Sequence, residues 1–192
     1  IELDLNDFSF KNKKWYHFDF QPNYLVNENE WPQLILDSLK KSVKRATLSD
    51  VPISCGLSGG LDSQAIVSLL TQIGHKPKTF SLAFEGREEG QLNELKSARR
   101  MAELCGTDHE EILLSEKEYF DDLDKMVYHL DEPYGGGLPL WHVFKNAGMN
   151  YGVILTGLGG DELFGNFGKW TLLEKTLFNL TNSKFQHKSL IF

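Results

Sequence analysis

Apolar residues recur along this chain with two alternating periods, and the alternation predicts the fold class. Short apolar runs typical of strands fall at residues 53–57, 79–84, 109–114 and 152–156. Helical stripes, with apolar residues three and four positions apart, occupy residues 65–73, 92–105, 119–130 and a segment near 138–149. Repeated βα units of this length predict an α/β fold in which a parallel sheet carries helices on both faces.

The first part of the chain has a different pattern. Residues 1–29 mix polar and aromatic positions and are interpreted as an extended lead-in or linker with one short strand. From Glu30 a helical stripe begins, with Pro32 placed where a first helical turn tolerates it. We therefore expect a lead-in over residues 1–29 and a domain over 30–192. Because the chain starts at Ile1 rather than Met, we expect a fragment or a processed product.

Composition narrows the function classes. The net charge of −7 argues against a non-specific nucleic-acid binder, whose affinity would depend on Lys and Arg. The two cysteines, Cys55 and Cys105, have neither metal-ligand nor disulfide-framework spacing, so we expect buried thiols in a reducing compartment. No apolar run approaches the length of a membrane span. These features predict a cytoplasmic protein with no nucleic-acid or membrane partner.

A glycine-rich turn is the strongest candidate for chemistry. Ser58-Gly59-Gly60-Leu61-Asp62-Ser63 follows a predicted strand and opens a predicted helix. Such a turn points backbone N–H groups and the positive end of the helix dipole at one spot, which suits a phosphate or pyrophosphate. The lysine of a Walker motif is missing, since the nearest one is Lys76. The alternative is a glycine turn that only connects two elements.

A second strand leads into a similar turn at Leu155–Gly165, where Gly157, Gly159 and Gly160 precede Asp161 and Glu162. If the two strands end beside each other, Asp62 and Asp161 can both face one Mg²⁺ bound to a triphosphate, because Mg²⁺ takes one or two carboxylates plus phosphate oxygens. The alternative for the acidic pair is ordinary capping of a helix N-terminus.

A third acidic segment precedes three glycines. Asp131 and Glu132 end a predicted helix and are followed by Pro133 and Gly135–Gly137. These carboxylates are candidates for binding a cationic substrate group or a metal. A solvated loop explains them equally well.

These segments together resemble the synthetase domain of the asparagine synthetase family, within the broader PP-loop ATP pyrophosphatases, whose adenine-nucleotide alpha-hydrolase-like fold the chain would share. The resemblance covers about residues 30–168 and is carried by the following stretches: Ser49–Pro52, Leu57–Ser63, Thr79–Phe84, Gly106–Glu111, Asp131–Pro133 and Leu155–Gly165.

The resemblance implies an AMP-forming, amide-forming ligase that uses ATP and Mg²⁺. A small carboxylate substrate is activated as an acyl-adenylate with release of pyrophosphate, and ammonia, free or from a glutaminase domain outside this chain, then displaces AMP. It also implies site residues. Leu57 and Leu82 would contact the adenosine, Thr156 and Gly157 would line the nucleotide, Asp62 and Asp161 would be catalytic metal ligands, and Asp131, Glu132 and Leu158 would face the substrate.

The chain departs from the family pattern in three ways. The family usually has an acidic residue where this chain has Leu158, which disfavours aspartate as the substrate. The glutaminase domain is absent from the chain, and so is the later helical portion in which the family supplies a lysine for the pyrophosphate. Two alternatives therefore stay open: a related amidotransferase or cyclase with another substrate, and a nucleotide-binding module that has lost catalysis.

Overall fold

The protein is built around one parallel sheet. The computed structural model describes residues 1–17, 19, 21, 25–86, 89–131 and 137–164. Its strands are β1 (Glu2–Leu3), β2 (Phe10–Lys11), β3 (Ile53–Gly56), β4 (Lys78–Phe84), β5 (His109–Leu114) and β6 (Val153–Leu155). Its α-helices are α1 (Trp31–Ala46), α2 (Leu61–Gln72), α3 (Glu89–Cys105), α4 (Glu116–Asp121), α5 (Leu123–Leu130), α6 (Leu138–Ala147) and α7 (Gly160–Phe164), and a 3₁₀ turn at Glu28–Glu30 precedes α1.

The central sheet has four strands in the order β5-β4-β3-β6, and all of them are parallel. Strand β3 pairs with β6 so that Cys55 lies opposite Leu155. The turns that follow these two strands therefore leave the sheet side by side, at the edge where parallel α/β sheets bind ligands.

Two apolar cores cover the two faces of this sheet. On one face Cys55 and Leu57 pack with Leu70 and other residues of α1, α2 and α3. On the other face Phe80 and Ile112 pack with α6 and with residues of α4 and β6. Each fully buried leucine, such as Leu70, contributes about 2 kcal/mol from apolar burial. The predicted α/β class, with helices on both faces of a parallel sheet, is confirmed.

Three elements differ from the sequence-based prediction. The lead-in contains two short strands that pair antiparallel, rather than one. In the apolar stripe of α1, Trp31, Leu34 and Ala46 are exposed, Ile35 and Leu39 are half-buried, and only Val43 is buried. The helix predicted over residues 119–130 is two helices, because a capping box between Ser115 and Glu118 starts α4 early and Asp122 separates α4 from α5. The division of the chain at residues 29 and 30 stays a prediction.

Both cysteines are free thiols. Cys55 is fully buried in the strand before the first turn, and desolvation raises the pKa of its thiol to about 12. This value keeps Cys55 protonated and unreactive at neutral pH. Among the helices of the described ranges, none combines the length and the apolar character needed to cross a bilayer.

Asp122 lies at the break between the two helices, and its carboxylate is buried among donors. It is 4% exposed, and it accepts hydrogen bonds from Lys145, from Lys125 at 3.0 Å and from Trp141 Nε1 at 3.2 Å. The ring of Trp141 in turn stacks on His129. This network ties α6 to the corner between α4 and α5.

Asp122→Asn is expected to lower the free energy of unfolding at pH 7 by about 1–3 kcal/mol, because the neutral amide loses the charge-assisted part of these bonds. The hydrogen bond from Lys145, above all, holds the pKa of Asp122 well below its ordinary value. This contribution is therefore complete above the unfolded-state pKa of about 3.9 and is lost as the pH falls towards the lower folded-state pKa. Urea titrations at pH 7 and pH 3 check this, with exposed Asp124→Asn as the control. A difference that stays constant with pH would contradict it.

Candidate nucleotide-binding site

The first turn, Ser58 to Ser63, is tied together by its own hydroxyl groups. The Oγ of Ser63 accepts a hydrogen bond from the Ser58 N–H at 3.2 Å, lies 3.0 Å from Ser58 Oγ and donates to the Gly60 carbonyl at 3.0 Å. Ser63 is 5% exposed, whereas Ser58 is exposed. Buried Ser63 therefore fixes the shape of the turn, and Ser58 is the hydroxyl that faces solvent.

Helix α2 starts directly from this turn, with Gly60 as its N-cap. Its first intrahelical bond runs from the Gln64 N–H to the Gly60 carbonyl at 3.2 Å, so the preceding N–H groups of Leu61, Asp62 and Ser63 are the ones that a helix leaves without intrahelical partners. These groups and the helix dipole can stabilise an anion at the turn.

Gly59 lets the turn pass close to helix α3. Its φ is +89°, and a Cβ built on it would lie 2.2 Å from the Glu94 carbonyl oxygen. Gln64 also links the turn to α3, because its Nε2 donates to the Gly59 carbonyl at 2.6 Å and to Ser97 Oγ at 2.8 Å. Sequence reasoning missed the roles of Gln64, Glu94 and Ser97. Gln64 directly follows the motif and could have been suspected, but nothing in the sequence marks Glu94 or Ser97.

The second turn packs directly onto the first. A Cβ built on Gly157 would lie 2.6 Å from the Ser63 backbone nitrogen, and one built on Gly160 would lie 2.5 Å from the carboxyl carbon of Asp62. At Gly157 the close atoms are backbone, so only glycine fits, whereas at Gly160 a larger residue would displace the Asp62 carboxylate. The close approach brings the start of α7, which carries Asp161, against the start of α2, which carries Asp62.

The two predicted metal ligands thus belong to helix starts that are in contact. Asp62 and Asp161 are both half-buried. Within the described ranges no group of three or more His, Cys, Asp or Glu side chains is arranged to hold a metal. A cation at this place would consequently need oxygen ligands from a bound phosphate, which is how Mg²⁺ is usually held in nucleotide sites. Two carboxylates and a turn that suits phosphate fit that requirement.

The other residues predicted to bind the nucleotide differ in how deeply they are buried. The Leu57 side chain is fully buried, its N–H donates to the Phe80 carbonyl at 2.8 Å, and its carbonyl accepts from Ser81 Oγ. Leu82 is half-buried and packs against the core on the α6 side of the sheet. The Thr156 methyl group lies beside Gly56, where it would be 3.5 Å from an added Cβ. Leu57 therefore belongs to the core, and Ser81, which anchors it, is a residue that the sequence did not single out.

The predicted substrate residues lie in two places. Leu158 is 67% exposed in the second turn, and Leu61 beside Asp62 is 82% exposed. Asp131 is exposed at the end of α5, with a left-handed φ of 56°. Glu132 lies outside the described residues. The roles of all these side chains in binding stay predictions.

The parallel sheet with helices on both faces and glycine-rich turns at neighbouring strand ends agrees with the PP-loop type of α/β fold that the sequence predicted. The chain belongs to the asparagine synthase family, whose model matches residues 34–188.

Curated proteins with similar sequences are named as asparagine synthetases. The chain is 34% identical over 163 residues to asparagine synthetase [glutamine-hydrolyzing] 1 of Bacillus subtilis, a match that spans 84% of this chain and 25% of that protein. It spans between 23% and 30% of the curated relatives that it matches.

Among solved structures, the NH3-dependent NAD synthetase of Campylobacter jejuni aligns with a TM-score of 0.45 and 17% identity, over 71% of this chain and 60% of the other. The NMN synthetase of Francisella tularensis aligns with a TM-score of 0.42 and 15% identity, over 80% and 74%.

Proposed function

We propose that this chain is the nucleotide-binding core of an ATP-dependent, amide-forming ligase. The observation that carries the proposal is the contact between the two turns, in which Gly157 and Gly160 lie against Ser63 and Asp62. This contact brings an anion-binding helix start and two acidic residues to one edge of the sheet. Membership of the asparagine synthase family supports the same reaction class.

The proposed reaction has two steps. A substrate carboxylate oxygen attacks the α-phosphorus of ATP, the bond to the β-phosphate oxygen breaks, and pyrophosphate leaves with that bonding pair. An amine then attacks the acyl carbon, AMP leaves, and the amine loses a proton as the amide forms. The amine is ammonia or a related nucleophile, and in the relatives that hydrolyse glutamine a glutaminase domain outside the present chain would supply it.

Residues of the first turn would bind the leaving group. The N–H groups at the start of α2 and the exposed Ser58 hydroxyl, which accepts a hydrogen bond from the Gly60 N–H at 3.3 Å, would bind pyrophosphate and stabilise its developing charge. Asp62 and Asp161 would hold Mg²⁺. When bound, this ion neutralises charge on the phosphates, a need that is greater where the turn has no Walker lysine. Thr156 and Gly157 would line the nucleotide.

Asp62→Ala is expected to weaken Mg²⁺-ATP binding by about 10- to 100-fold, the effect of losing one charge-assisted contact of about 1–3 kcal/mol. Calorimetry with Mg²⁺ present measures the change, and Glu162→Ala, which removes an exposed carboxylate from α7, is the matched control. The same affinity in Asp62→Ala and wild type would rule out the metal assignment.

Pyrophosphate release with a panel of carboxylates tests the reaction itself. Release that depends on both ATP and one acid supports the ligase. ATP binding with no release for any acid would instead identify a nucleotide-binding module without catalysis. Exposed Leu158 favours a second candidate within the ligase class, an enzyme that amidates or cyclises a substrate other than aspartate.

A further inference from the structure

The glycine-rich part of the second turn, residues 157–160, carries a single side chain. Between Thr156 and Asp161 the chain reads Gly157-Leu158-Gly159-Gly160. Leu158 is therefore the one residue of these four that is not glycine. Close contacts with Ser63 and Asp62 explain why Gly157 and Gly160 are glycines. A side chain at Gly157 would clash with backbone atoms of α2, and one at Gly160 would displace the Asp62 carboxylate. Within residues 157–160, only Leu158 can contact a substrate through a side chain.

Leu158 also lies beside the candidate nucleotide site. Gly157 before it and Gly160 two residues after it pack against the start of α2, and the turn continues directly into Asp161. Its side chain nevertheless stays 67% exposed and does not enter either core. On the facing turn Leu61, next to Asp62, is 82% exposed. Single exposed leucines are ordinary, but here one lies on each of two turns that meet at a candidate active site.

We propose that Leu158 selects a carboxylic acid whose carbon skeleton near the reacting carboxylate is apolar. An aliphatic side chain can neither accept a hydrogen bond from an ammonium group nor neutralise its charge. Desolvating an ammonium group beside it is therefore unfavourable, whereas desolvating an alkyl or aryl group is favourable. The inference rests on the proposed function, because it requires that the site activates carboxylates.

This selectivity predicts discrimination against amino-acid substrates such as aspartate, which carry a charged ammonium group near the carboxylate. Differences in apolar contact of about one methylene change specificity roughly 10- to 200-fold, and an unpaired polar group changes it further. We therefore expect kcat/KM for adenylate formation to be at least ~10-fold higher for an acid such as hexanoate or phenylacetate than for aspartate.

The test is ATP–pyrophosphate exchange by the full-length natural protein with hexanoate, phenylacetate, aspartate and glutamate. Leu158→Glu should shift the ratio of kcat/KM between the apolar acids and aspartate by at least ~10-fold towards aspartate. Affinity for Mg²⁺-ATP serves as a check that the variant is folded. Leu104→Glu, at a 75% exposed position on α3, is the matched control and should leave the ratio unchanged.

The possible results distinguish a failure of the inference about Leu158 from a failure of the proposed ligase function. A wild-type preference for aspartate, or a Leu158→Glu ratio equal to that of wild type, would overturn the inference while exchange itself upheld the ligase. Exchange with none of the four acids, in protein that binds ATP, would overturn the inference, and the proposed function would fall with it only if no acid of the wider panel supported pyrophosphate release. A preference for the apolar acids that Leu158→Glu shifts towards aspartate by at least ~10-fold would establish the inference.

Discussion

Replacing Gly59 with alanine is expected to reduce affinity for Mg²⁺-ATP by at least about 100-fold. The substitution combines two unfavourable effects. A left-handed backbone costs a residue with a Cβ about 1–2 kcal/mol, and overpacking costs a further 1–3 kcal/mol or so. The new Cβ would lie 2.2 Å from a backbone oxygen of α3, which cannot rotate away as a side chain can. The turn must therefore move, and the N–H groups that would bind phosphate move with it.

Gly74→Ala is the matched control for this prediction. Gly74 has a φ of +90°, nearly the same as the +89° of Gly59, but an added Cβ there meets no atom within 4 Å. It lies beyond the other end of the same helix. We expect Gly74→Ala to lose about 1–2 kcal/mol of stability and to retain wild-type affinity for the nucleotide. Calorimetry below both melting temperatures measures the two affinities. Equal affinities in the two variants would show that the turn geometry does not govern binding.

The second large effect is expected at the contact between the turns. In Gly157→Ala the new Cβ would lie 2.6 Å from the Ser63 backbone nitrogen, so the second turn must separate from the start of α2. Since the proposed Mg²⁺-ATP site requires Asp62 and Asp161 together, separation should lower pyrophosphate release by about 100-fold or more, the usual scale for losing a stabilising group in a transition state.

Gly159→Ala provides the control within the same turn. Gly159 has a φ of +98° but open space around its Cβ position, so alanine there introduces backbone strain without a clash. We expect a small loss of stability and an activity within a few-fold of wild type. If both variants lose activity equally, strain in the turn rather than contact with α2 explains the effect.

The strands and the position of both turns were predictable from sequence because they depend on local patterns. Strand β5 was predicted with the observed bounds, and the glycine-rich turn falls at the strand end where it was expected. The adjacency of β3 and β6, on which the pairing of Asp62 with Asp161 depends, was stated only as a condition. It is confirmed by the sheet order, a property of the whole fold.

The remaining features depend on contacts between distant parts of the chain. The burial of Asp122 at the helix break depends on donors on α6, more than 15 residues away, so periodicity could not indicate it. The burial of Leu57 likewise depends on helices α1 and α3 that pack over it. By contrast, the early start of α4 could have been predicted from the sequence, because Ser115 and Glu118 have the spacing of a capping box.

The central claim is that this site activates a carboxylate by breaking ATP between the α- and β-phosphates. Chromatography of the nucleotide after turnover by the full-length protein, with Mg²⁺-ATP, an accepted acid and ammonia, tests it most directly. The account predicts AMP and pyrophosphate in amounts equal to the amide formed, because the first turn lacks the lysine of a Walker motif and is placed to bind a departing pyrophosphate. ADP and inorganic phosphate as the main products would contradict it.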